Sequence, residues 1–168
     1  MEVNFDDDEP EVVANMLRFL YGKGYDDGNN TTTFGVSETY TSTPSKAVRT
    51  YTSSAPSAPV LTTARGQDSI GPPLMNAKMY AIGKKYDIQA LKVVAQMKYR
   101  AVLPDMWKST SFIASLKLLY EEATDTDHAM KDIAIQLAGQ HARELLGIEE
   151  FVKLCKENGE ITVDVMNA

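Results

Sequence analysis

The side chains best able to do chemistry in this chain are few and scattered. His128 and His141 are its two histidines and Cys155 its single cysteine. The densest carboxylate run is Asp6-Asp7-Asp8-Glu9, with Glu11 just beyond it. The histidines are too far apart in sequence to form a ligand pair on one helix face, so each reads as a surface or half-buried residue, His128 beside a helix cap and His141 within a helix. Cys155 sits next to Leu154 on a short amphipathic segment and reads as a small buried hydrophobe, although Lys153 and Lys156 stand nearby, as a reactive thiolate would need. The acidic run lacks the glycine and the terminal glutamate of a calcium loop, and is better suited to a solvated helix start. Gly22, Gly24 and Gly28 neither follow a buried strand nor open a helix, so they read as turn residues and not as a phosphate cradle. No nucleophile has an evident base and no carboxylates form an evident catalytic pair. The expectation is a protein that is not an enzyme and needs no metal or cofactor.

The bulk properties point the same way. The chain has 168 residues, 43% hydrophobic and 24% charged, which suits an ordinary globular protein with room for a core. A formal charge of -6 sets it against nucleic acid and anionic membranes as partners. With one cysteine and no apolar run near the roughly 20 residues of a membrane span, an intracellular setting, cytoplasm or nucleus, is expected. The glycosylation sequons at Asn29 and Asn30 carry no weight in that setting.

The elements that would position any site are helical. Residues 2–5 alternate, with Val3 and Phe5 on one side, and predict a very short strand. Asp8 is placed to cap a helix running from Glu9-Pro10 to about Tyr21. Its broad apolar face is Val12, Val13, Met16, Leu17, Phe19 and Leu20, and Gly22 and Gly24 end it. From 26 to 73 the composition turns to Thr, Ser and Pro, which predicts a disordered insertion; Thr43-Pro44 within it fits a proline-directed kinase. The pattern then predicts helices over 74–86 and 88–103, interrupted by Asp87 and stopped by Pro104, which together make a hairpin. A further helix, capped by Ser109 or Ser111, should reach Ala123. The next runs from Asp127 to about Leu146 with Met130, Ile133, Ala134, Leu137, Ala138 and Leu145 inward, and Gly147 separates it from a short helix over 148–158 that Gly159 ends. Ile161, Val163 and Val165 fit either a strand or a last helical turn.

Three stretches, in order, carry a resemblance. Asp6 to Glu11, with Met16-Leu17-Arg18-Phe19-Leu20-Tyr21 and Gly22-Lys23-Gly24-Tyr25, looks like the strand, helix and "LYTGxY"-like turn late in BTB/POZ domains. Ala77-Lys78-Met79-Tyr80-Ala81-Ile82-Gly83-Lys84-Lys85-Tyr86-Asp87-Ile88-Gln89-Ala90-Leu91 is similar to that family's "hAKVYALADKYDIPAL" block. Glu157-Asn158-Gly159-Glu160 and Val163-Asp164-Val165-Met166 resemble the ending of fungal members. The resemblance implies a mainly α chain: the helical C-terminal part of a fungal-type BTB/POZ domain over 1–103, interrupted at 26–73, and a helical extension over 104–168. The family's first half, with its strand pair, its "AHRxVL"-like helix and much of its homodimer surface, has no counterpart in these residues. The implied function is a protein-interaction module, an adaptor or scaffold linked to cullin-type ubiquitin ligases, with homodimerisation a family trait. The competing expectation is a truncated or degenerate fragment without independent function. Candidate partner-binding residues are Met16, Phe19 and Tyr21 on the first helix, Lys78, Tyr80, Lys85 and Tyr86 on the hairpin, and Trp107 in the turn after it, chosen because aromatic and Met side chains favour binding hot spots.

Overall fold

Proline and glycine punctuate the helices much as their backbone restrictions require. The computed structural model describes residues 8–29, 34–36, 51–53, 70–122 and 128–168. The chain divides into two compact units, residues 1–69 and residues 70–168.

In the first unit, helix α1 (Pro10–Leu20) starts with proline at its first position, and its N-cap is Glu9, with no side-chain cap bond. Asp8 was the expected cap and does not fill that position. The end is as predicted. Gly22 takes a φ of 74° and Gly24 of 67°, and the Gly22 and Lys23 N–H groups return to the Phe19 and Arg18 carbonyls at 3.0 and 3.1 Å. This double bond pattern is a Schellman motif, which needs left-handed backbone at its pivot. The predicted wide apolar face divides in two: Val12, Met16 and Phe19 are buried, whereas Leu17 and Leu20 are 40% and 54% exposed. The buried Asn15 clamps the following loop, its Nδ2 donating to the Asp26 carbonyl and its Oδ1 accepting from the Asp26 N–H. Within the stretch expected to be structureless, strands β1 (Phe34–Val36) and β2 (Tyr51–Ser53) pair antiparallel, Gly35 opposite Thr52. The predicted strand at 2–5, the Thr43-Pro44 pair and most of the insertion lie outside the described residues.

The second unit is all α among its described residues: α2 (Pro72–Lys85), α3 (Gln89–Met106), α4 (Thr110–Glu121), α5 (Ala129–Gln140), α6 (Ala142–Leu145), α7 (Glu149–Glu157) and α8 (Gly159–Asn167). Helix α2 packs on α3 and α4, α5 on α3, α4 and α8, and α7 on α4 and α8. Met75, Met79, Leu91, Tyr99, Phe112, Leu116, Met130, Leu145, Phe151 and Ile161 are fully buried. Each such side chain contributes about 1.5–3 kcal/mol of burial.

The α2–α3 hairpin forms as expected, and its pivot is informative. Asp87 adopts a left-handed φ of 53°, and the Ile88 and Asp87 N–H groups reach the Gly83 and Lys84 carbonyls at 2.7 and 3.2 Å. This is again a Schellman closure, with aspartate where α1 uses glycine. Gly83 is needed for room: a Cβ there would lie 3.1 Å from Lys92 Cγ and 3.3 Å from the Lys92 backbone nitrogen.

Several boundaries correct the sequence reading. Helix α2 begins two residues early because prolines need no N–H partners in a first turn. Pro104 does not stop its helix; α3 runs to Met106 with the proline inside its last turn. There the ring removes only the N–H that would have reached the Arg100 carbonyl, a tolerable loss near a helix end. The long helix expected to reach Leu146 is divided at His141, so α6 is separate from α5. Asp127 lies outside the described residues, and His128 occupies the α5 N-cap position. Gly159 opens α8 and does not end α7; the break is at Asn158, whose side chain accepts from the Glu160 N–H at 3.1 Å. The ambiguous tail is helix, with Ile161 and Val165 buried one turn apart and Val163 58% exposed.

The two candidate capping serines serve different helices. Ser109 Oγ accepts from the Phe112 N–H at 3.1 Å and caps α4. Ser111 Oγ accepts from the Leu74 N–H at 3.1 Å, so it caps α2 from another helix. Pro72 and Pro73 have no N–H, and Leu74 is thus the first donor of α2 that needs a partner. Gly71 makes the approach possible, since a Cβ on it would fall 2.6 Å from Ser111 Oγ.

Candidate functional site

The sequence-selected residues separate by exposure. Met16 and Phe19 of α1 and Tyr80 of α2 are buried, so their side chains build packing and present no surface, a correction to their choice as contacts. The reason is that methionine and aromatic side chains at helical spacing fill cores as readily as interfaces. Tyr21 is 80% exposed. Lys85 is exposed, and Lys78 and Tyr86 are half-exposed on the hairpin. The Lys85 ammonium lies 5.4 Å from the Tyr86 ring centroid, and the Lys92 ammonium 5.3 Å from that of Tyr80, so two cations of the hairpin rest near aromatic rings.

Trp107 sits half-buried just after α3 and stacks on His141, ring centroids 3.9 Å apart and planes 8° from parallel. The stack joins the α3–α4 turn to the break between α5 and α6, and Lys108 Nζ lies 4.6 Å from the indole. His141 is therefore a packing partner at a helix break.

Sequence reasoning missed the most concentrated polar cluster. Lys131, on the inward side of α5, is almost fully buried and pairs with Glu160 at 3.2 Å and Asp164 at 3.3 Å, both on α8. Its ammonium lies 3.9 Å from the Tyr120 ring centroid, and the Tyr120 hydroxyl donates to Asp164 Oδ2 at 2.7 Å. Burial first, then the hydrogen bond and charge of Asp164, hold the Tyr120 phenol well above its usual pKa. One signal was legible: Lys131, Ala134 and Ala138 share the spacing of the buried stripe. Glu160 and Asp164 were hidden because the tail's secondary structure was open.

A second polar site is buried. Ser115 Oγ donates to the Phe112 carbonyl at 2.7 Å, so its lone pairs face Tyr99, whose hydroxyl donates to it at 2.7 Å. Burial raises the Tyr99 phenol above its usual range. Cys155 is half-buried. Among the described residues no group of three or more His, Cys, Asp or Glu side chains is placed to hold a metal ion, and no helix is long and apolar enough to cross a membrane.

Against known proteins, no protein-family model, curated protein or solved structure matches this chain.

Proposed function

We propose that this chain is a protein–protein interaction module of BTB/POZ type, an adaptor or scaffold without catalytic activity, that presents the outer side of the α2–α3 hairpin to a protein partner. The observation that carries the reading is the segment Ala77–Leu91. Its sequence resembles the family block, and it folds as a tight hairpin. Met79, Ile82 and Leu91 face the interior, which leaves Lys78, Lys85 and Tyr86 accessible. Exposed Leu17, Leu20 and Tyr21 on α1 add apolar side chains of the kind that interfaces use. The family role makes a cullin-type ubiquitin ligase the first partner to test.

The test has two arms. Urea unfolding followed through Trp107, the only tryptophan, should give a cooperative transition without dye binding. A broad transition with dye bound throughout would favour the competing reading, a fragment without independent function. Titration of a purified cullin N-terminal domain, and affinity capture of co-purifying proteins, should be weakened by Lys85→Glu combined with Tyr86→Ala. Capture that is indifferent to this pair would overturn the hairpin as the contact surface.

A further inference from the structure

A groove between α3 and α5, of about 390 Å³, has the chemistry of a peptide-docking site. Its floor is apolar: Leu103 is buried, and Ile133 and Leu137 are half-buried. Its rim is polar: Arg100, Gln136 and Gln140 are exposed along it. The walls are tied together beyond the groove by Gln96 Nε2, which donates to the Ala129 carbonyl at 3.3 Å. A partner would thus meet a site already in place.

The charge at the rim specifies the occupant. Arg100 is the one charged residue that lines the groove, and among the described residues none pairs with its guanidinium. A guanidinium with no described partner beside an apolar floor favours a carboxylate with an apolar neighbour. Gln136 and Gln140 on the same rim add carboxamide donors and acceptors, which suits the amide groups of a polypeptide.

We infer that the α3–α5 groove binds a short segment of a partner protein in which a Leu or Phe side chain stands beside Asp or Glu, the apolar side chain resting on Ile133 and Leu137 and the carboxylate on Arg100. The inference rests on the reading of the chain as an interaction module and adds a second surface to it.

The experiment is fluorescence anisotropy on the full chain with fluorescein-labelled heptapeptides that carry Leu-Asp-Glu or Phe-Asp-Glu. Lys-Arg and Gln-Gln counterparts serve as controls. The acidic probes should bind and the controls should not. Arg100→Ala should weaken binding about tenfold or more, Arg100→Lys less because the charge is kept although its two-point grip on a carboxylate is lost, and Lys153→Ala on α7 not at all. Arg100 is exposed, so these variants test the contact without disturbing the core. Equal binding of acidic and basic probes, no binding of any probe, or indifference to Arg100→Ala would overturn the groove. Partner capture that still depends on Lys85 and Tyr86 would then leave the module reading standing, so the two failures are distinguishable.

Discussion

Helices α2, α3 and α4 meet mainly through apolar side chains, with hydroxyl contacts among them, whereas α8 adds to its buried Ile161 and Val165 an ammonium, Lys131, set between two carboxylates. In the first joint the polar contacts include Tyr99 to Ser115, Ser115 to the Phe112 carbonyl, Ser111 to the Leu74 N–H, and Lys84 Nζ to the Glu122 carbonyl. In the second, Lys131 reaches Glu160 and Asp164 and is roofed by Tyr120. Apolar area gains free energy without regard to salt, while a partly exposed ion pair loses strength as salt screens it and as acid neutralises its carboxylates. Within this unit the α8 joint thus depends more on salt and acid than the joint of α2, α3 and α4 does.

The largest expected effect lies in the first joint. Phe112→Ala, at a fully buried position, should cost about 3–5 kcal/mol in urea unfolding. A loss below about 1 kcal/mol would show that α2, α3 and α4 do not share the packed interior described. In the second joint, Lys131→Met should cost about 1–2 kcal/mol, less than a fully buried pair because Glu160 is 66% exposed. Hydrogen exchange should show α8 opening faster in this variant and in 1 M salt, with α3 unchanged; equal acceleration in both helices would remove the contrast.

High pH sharpens the comparison from the other side. The Tyr99 phenol is raised by burial. Its stabilising effect is therefore complete below the unfolded pKa near 10 and is lost as pH rises beyond it, at about 1.4 kcal/mol per pH unit. Tyr99→Phe should flatten that slope, and an unchanged slope would contradict the buried phenol. Ser111→Ala should cost about 1 kcal/mol and expose the α2 amides to exchange, whereas Ser109→Ala should act on α4. If both act on α4, the cross-helix cap is absent. The smallest effect is a gain: Asp87→Gly should stabilise by about 0.5–1 kcal/mol by relieving a left-handed aspartate.

Much of the fold was legible because local rules decide it. Pro10, Gly22, Gly24 and Asp87 mark ends that backbone sterics enforce, and the stripes Met79-Ile82 and Leu91-Val94-Ala95 are buried as their spacing requires. The candidate surface was less legible. Whether Met16 or Tyr80 faces a core or a partner is not a property of the helix that carries it, and both are buried.

The sequence by itself determined that the chain is mainly helical and where most turns fall, since proline, glycine and apolar period act within a few residues. Tertiary structure decided which serine caps which helix, that His141 stacks on Trp107, and that Lys131 meets Glu160 and Asp164. Such contacts join residues distant along the chain, and their energies exist only once the intervening helices have packed.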